Sequence, residues 1–302
     1  GPLEFDSSPA NGGNFIGPNS SGYLNVTGPI TNAVTGVISA RNGRVRFSGG
    51  GSYTGFTLNQ GTTTIGADNG ICPDAALTIA ASGDSTFDLN GFNQALTGLF
   101  DGATYQELVT NSVATLSTLT LNLATSYTYS GVIGGPLALV QNGSGALLLA
   151  GTNTYTGNTT VNGGVLEIAQ PALAKNSTVT VANGALLQLD FAVTNPVAGL
   201  VLNGVSQPLG VYNSTTSPSF ITGSGSLEVA VAVATNPTNL TATVSGGNLV
   251  LSWPADHTGW RLQVQTNSLA SGLGTNWVDV PNTDSVNAVT NAVNAANGSV
   301  FY

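Results

Sequence analysis

The residues best suited to chemistry are Asp84 and Asp88, four positions apart and so on one face of a strand, and Arg44 and Arg46, which share another face. Two carboxylates with a basic neighbour are what acid–base cleavage of a polysaccharide requires. When the chain is aligned with itself, however, Asp88 falls opposite Gln188 and Asp190 opposite Asn90, so the acids form no ladder. No catalytic residue is expected. His257 is the only histidine, which excludes a two-histidine metal site and leaves any triad a single imidazole. SGGGS at 48–52 lacks the aspartate of a calcium-binding nonad, and neither a metal nor a cofactor is expected. Trp253 and Trp260 fit core positions, whereas Trp277, in a Gly- and Asn-rich stretch, is the candidate for stacking on a glycan ring. Cys72 is the only cysteine, so it closes no internal disulfide and reads as a small buried or loop thiol.

Composition limits the partners. The 302 residues carry 14 acidic and 5 basic side chains, a net charge of −9, so there is no positive surface to neutralise a phosphate backbone, and nucleic acid is excluded. Charged residues are only 6% of the chain against roughly 25% in ordinary proteins, while 41% apolar residues supply enough surface to fold rather than remain a linker. No apolar run approaches the ~18 residues of a membrane span. No leader precedes Gly1, so any export signal is expected to have been removed or left out, and residues 1–11, beginning GPLEF, read as an N-terminal segment or tag remnant.

An internal repeat organises the rest. Residues 43–55 align with 145–157, matching Gly49, Tyr53, Thr54 and Gly55 to Gly151, Tyr155, Thr156 and Gly157. After a one-residue gap, Asn59, Gly61 and Ile65 face Asn162, Gly164 and Ile168, a period of about 100 residues. Both copies alternate strands of three to five residues with Gly- and Asn-rich turns, as at 45–47, 147–149 and 165–168. Such spacing fits a sandwich or barrel as well as a solenoid; recurrence with the turn glycines in place favours stacked coils, each burying its apolar side against the next. The expectation is an all-β chain: a right-handed parallel β-helix over 12–232, with nine or ten rungs of about 20 to 25 residues, then a small β-sandwich. Asn59, Asn90, Asn162 and Asn203 follow apolar strands beside turn glycines, where asparagine tolerates left-handed backbone and can bond to the adjacent rung.

The composition breaks at 232–237, and all three tryptophans follow. Leu240, Ala242 and Val244 alternate before a Gly246-Gly247 turn, and Leu249, Leu251 and Trp253 alternate after it, predicting a hairpin with one buried side. A third strand should turn Trp260, Leu262 and Val264 inward and Arg261, Gln263 and Gln265 outward. Residues 233–302 thus resemble a fibronectin type III or immunoglobulin-like module that reads as incomplete, with SVFY like the beginning of a strand; truncation, disorder or a strand from another subunit would each account for it.

Residues 142–169, NGSGALLLAGTNTYTGNTTVNGGVLEIA, resemble the autotransporter-associated β-strand repeat, also called the passenger-associated transport repeat. Gly151, Asn153, Tyr155, Thr156, Gly157, Thr160, Val161, Asn162 and Gly164 carry the pattern. The earlier copy departs from it at Gly51 and Gln60 and in its basic Arg44 and Arg46. The resemblance implies a parallel β-helix in a secreted bacterial protein, extracellular or on the cell surface, without catalytic residues. The function expected is therefore structural or adhesive and non-enzymatic, with self-association into fibres through open solenoid ends or strand exchange, and surface glycans as a further partner. The alternative is a carbohydrate-binding or polysaccharide-degrading β-helix.

Overall fold

In a computed structural model of the chain, the described residues are 14–16, 23–31, 37–79, 83–102, 107–230, 239–257, 259–268, 270–284, 286–292 and 300–301. The expected N-terminal segment at 1–11 and the composition break at 232–237 lie outside them. The chain divides into two compact units, Gly1–Ala230 and Val231–Tyr302.

In the first unit, period-two patterning dictates strands that bury alternate side chains. In Val165–Ile168, Leu166 and Ile168 are buried while Val165 and Glu167 are half-buried. Apart from the short strands at 205–206 and 210–213, the strands pair in parallel from one coil to the next, so the same positions recur side by side. Tyr127, Leu147, Leu166, Leu187 and Ile221 form one such row, and Tyr129, Leu149, Ile168 and Leu189 the next. No antiparallel pair interrupts 140–190 among the described residues; the architecture is an all-β parallel solenoid with a coil of about 20 residues.

Three faces run along it. One contains Tyr127–Tyr129, Ala146–Leu149, Val165–Ile168, Leu186–Leu189 and Ile221–Gly223. A second contains Ser85–Asp88, Glu107–Thr110, Val132–Gly135 and Thr154–Tyr155, and a third runs from Gln94–Leu96 through Ser117–Asn122, Leu137–Asn142, Thr159–Val161 and Thr178–Val181 to Gly199–Leu202. Their inward side chains make one continuous apolar cluster from Val26 to Val229. Each fully buried Leu, Ile or Phe contributes about 1.5–3 kcal/mol, and this packing holds the coils together in place of disulfides.

The coil makes about eight turns rather than nine or ten. The last turn is lengthened by an excursion: Val197 is followed by Val229 as its neighbour, and Leu189 by Gly223. That excursion also changes the end of the solenoid. Val205–Ser206 pairs antiparallel with Val201 and Leu202, and Gly210–Asn213 pairs antiparallel with Ser226–Val229. An end with uncovered edges was expected; instead, the chain's own antiparallel strands occupy the terminal edges of two ladders, removing donors and acceptors that another copy would need.

The sequence repeat is not a whole number of coils. Val45 neighbours Leu24 and Thr63, in the ladder that continues through Phe87 and Val109 to Ile133, whereas its aligned partner Leu147 lies in the row of Tyr127, Leu166 and Leu187. The two copies therefore use the same local turn on different faces.

In the second unit, Thr241–Ser245 and Asn248–Ser252 form the expected hairpin, with Gly246 and Gly247 at φ +58° and +80° in its two-residue turn. Ala288–Ala292 adds a third antiparallel strand, and Gln263–Thr266 pairs with Val278–Asp279 and Val300–Phe301. The core is small, Leu251, Trp253 and Leu262, and the hairpin's expected buried side is only half realised, because Val244 is 71% and Leu240 46% exposed. The third strand also departs from its expected alternation: Trp260 is exposed and Gln265 buried. The Gln265 amide is turned inward to hold a loop, accepting from Gly274 N and donating to Gly274 O.

Candidate functional site

The residues of the repeat signature sit where one turn lies directly against the next. A Cβ at Gly151 would collide with the carbonyl of Gly131, and one at Gly49 with the carbonyl of Gly28. Gly164 and Gly61, at φ +63° and +90°, face the carbonyls of Gly145 and Gly43 in the same way. Aligned glycines in the two copies thus meet one requirement, the backbone separation of stacked strands, ~4.8 Å. Gly157 donates its N–H to Leu137 O and Thr156 to Gly135 O, while Gly55 pairs with Val37 and Ala76 in the ladder.

Tyr53 and Tyr155 are buried at turns. The Tyr53 hydroxyl accepts from Cys72 N at 2.9 Å, and the Tyr155 hydroxyl shares a 2.8 Å hydrogen bond with Thr159 Oγ1. Burial pushes the Tyr155 phenol up to about 12, so it stays neutral. Thr54 and Asn59 lie on the outer surface of the first copy, Thr54 exposed and Asn59 half-buried. In the second copy, Asn162 donates to Asn142 Oδ1 and Asn142 to Asn122 Oδ1, each at 2.9 Å, so three successive coils are stitched by an amide ladder. Asn90 and Asn203 take left-handed backbone at φ +49°, and Asn90 Nδ2 reaches Ile65 O on the preceding coil.

The catalytic candidates do not assemble. Asp84 is exposed and precedes Ser85–Asp88, whereas Asp88 is 8% exposed at its end, so the two do not share a face; the strand stops and the chain turns at Asp88. Both Asp88 oxygens accept from Ser112, at 2.7 and 3.0 Å, and one also accepts from Asn90 N, which makes Asp88 a brace between turns. Arg44 and Arg46 do alternate outward, and the Arg46 side chain covers Gly66. Among the described residues, no three His, Cys, Asp or Glu side chains are grouped to hold a metal, and no helix is long and apolar enough to cross a membrane.

Two acid pairs were missed: Glu167 and Asp190 meet across neighbouring coils, and Asp101 and Glu107 meet within one coil at a spacing that marks no motif. Glu167 stands beside Gln188, whose amide holds Asp190 at 2.7 Å; burial, then Asp190, raises the Glu167 carboxyl above its ordinary range. Glu107 is only 4% exposed, and burial first, then the charge of Asp101, pushes its carboxyl from 4.5 up to about 7. Asp101 is itself engaged by Ser130 Oγ at 2.8 Å and Gly131 N at 2.7 Å.

A folded-state value above the unfolded one means that the fold favours protonated Glu107. Its stabilisation is complete below about pH 4.5 and is lost as pH rises to about 7. Glu107→Gln should therefore raise stability at about pH 8 by about 1–2 kcal/mol, a figure discounted for solvent screening, and change little at about pH 4.5. Urea midpoints of the two proteins at both pH values test this; an equal effect at both would remove Glu107 as the titrating group.

Trp277, the glycan candidate, lies in the second unit on a pocket of about 290 Å³. Trp253 and Trp260 line it too, with Leu240, Arg261, Leu262 and Gln263. Trp253 is in the core as expected, but Trp260 is exposed, and only the fold shows that Trp260 and Trp277 meet on the pocket that Trp253 lines.

The fold and its turns define a parallel β-solenoid built from stacked glycine-turn coils. Within it, residues 139–168 match the passenger-associated-transport-repeat family. The chain is also 30% identical over 148 residues to the adhesin BmaC autotransporter of Brucella suis biovar 1 (strain 1330), a match covering 49% of this chain but 4% of that protein. No solved structure matches.

Proposed function

We propose that the chain is a non-enzymatic structural or adhesive segment of an extracellular bacterial surface protein, in which the solenoid is a stiff spacer. The observation that carries this reading is the unbroken in-register stack over residues whose repeat is shared with autotransporter passengers. The similarity to an adhesin over half of this chain supports the adhesive role and the surface location. Domain limits near 232 and a sandwich fold for the second unit belong to the same reading.

Self-association is the finer part of the proposal. Antiparallel strands occupy the terminal edges of two ladders, so contact between copies is assigned to the remaining edge at Ile221–Gly223 or to strand exchange by the second unit. Beads coated with the whole chain should adhere to host-cell or biofilm surfaces more than beads coated with a thermally unfolded sample. Light scattering should show mass rising with concentration. Equal adhesion of both bead types would end the adhesive reading, and a constant monomer mass would end self-association.

A further inference from the structure

We propose that the tryptophan pocket of the second unit binds one ring of a neutral saccharide, stacked against Trp277 and Trp260 and hydrogen-bonded by Gln263. All three tryptophans of the chain line this one pocket. Its volume of about 290 Å³ lies at the small end of the ~300–1,000 Å³ range of ligand sites, which suits a single pyranose ring. Aromatic faces match the apolar C–H faces of a sugar, and nearby polar groups match its hydroxyls.

Three features set this pocket apart from an incompletely filled core. First, Trp253 is 6% exposed, and its Nε1 has no hydrogen-bond partner among the described residues. A buried donor left unpaired costs about 1–3 kcal/mol, so the wall of the pocket at Trp253 is not packed as a fully satisfied core would be. Second, the route to Trp277 is fixed. Buried Gln265 clamps Gly274 through both amide atoms, and Asn276 Nδ2 donates to Asn267 Oδ1 at 3.1 Å, so the loop before Trp277 is held in place before any ligand arrives. Third, Trp260 is set by the ring of buried His257, edge-on with centroids 4.7 Å apart.

The rim selects against charge. Arg261 Nη1 lies 3.2 Å from Asp279 Oδ2, and Gln263 Nε2 donates to Asp279 Oδ1 at 2.9 Å. The Gln263 hydrogen bond, then that of Arg261, holds the Asp279 carboxyl below the usual carboxylate range, so the pair stays ionised and mutually neutralised. With a net charge of −9, the chain also repels anionic sugars such as uronates. Neutral hexoses and N-acetylhexosamines remain.

This inference goes beyond the adhesive reading and stands without it. The test uses the full chain, titrated with cellobiose, maltose, mannobiose, lactose, chitobiose and digalacturonate, read by tryptophan fluorescence and saturation-transfer NMR. At least one neutral disaccharide should bind with a millimolar dissociation constant, with digalacturonate weaker. Trp277→Ala should weaken binding at least tenfold; Gln263→Ala, at an exposed position, should weaken it severalfold with the melting curve unchanged. No response to any neutral sugar, preference for digalacturonate, or protection of the tryptophans only when the chain self-associates would each overturn the proposal. Sugar binding without bead adhesion would sink the adhesive reading alone, and adhesion without sugar binding would sink this one alone.

Discussion

Gly164→Ala should destabilise the solenoid by about 2–4 kcal/mol, although it adds a single methyl group. Gly164 has φ +63°, and its Cβ would collide with the carbonyl oxygen of Gly145. That carbonyl cannot simply move: it accepts from Val165 N at 3.3 Å and from the buried Gln141 amide at 2.9 Å. Left-handed strain contributes about 1 kcal/mol, and the two hydrogen bonds about 0.5–1.5 kcal/mol each. Gly184→Ala is the matched control, because Gly184 also has positive φ, +80°, but nothing lies within 4 Å of its Cβ position. It should cost only the strain, about 1 kcal/mol. Thermal or urea unfolding of the pair checks the difference, and equal losses would mean that coil-to-coil contact is not what requires glycine at 164.

Leu166→Ala should cost about 2–5 kcal/mol. Leu166 is fully buried, between Leu147 on one coil and Leu187 on the next. Backbone ladders hold both neighbours at fixed spacing, so the cavity cannot collapse, which places the loss in the upper half of that range. Val165→Ala, one residue away and half-buried, should cost far less. Because each coil contacts only its neighbours, hydrogen exchange should speed up across 146–189 more than across 55–79. Uniform acceleration would show that the core behaves as one globule rather than as stacked layers.

Much of this arrangement was legible in the residues. Alternation at 147–149 and 165–168 gave the inward side chains, and glycines at 49 and 151 gave the turns, because both are set by local backbone geometry. Stacking on particular faces was not legible: the ~100-residue repeat brings Val45 and Leu147 to different ladders, and a period of two carries no information about which face a strand joins. The antiparallel strands at 205–206 and 210–213 escaped notice because they are short and carry no buried position that would mark an alternation. Glu107 escaped because its burial depends on its placement by neighbouring coils, and its charge partner, Asp101, is nothing like a motif spacing. In the second unit, the hairpin could be read from its paired glycines, but the inward turn of Gln265 could not, since a strand pattern assigns a polar residue to solvent by default.

The central claim is that successive coils lie parallel and in register, and a distance between two spin labels tests it most directly. Thr128, Leu148, Glu167, Gln188 and Thr222 are consecutive neighbours across five strands. Four steps of ~4.8 Å place Thr128 and Thr222 about 19 Å apart along the stack. With nitroxides attached through Thr128→Cys and Thr222→Cys, pulsed electron paramagnetic resonance should give one narrow distribution near that distance, widened only by the label arms. A broad distribution, or a mean far from about 19 Å, would contradict the stacked solenoid.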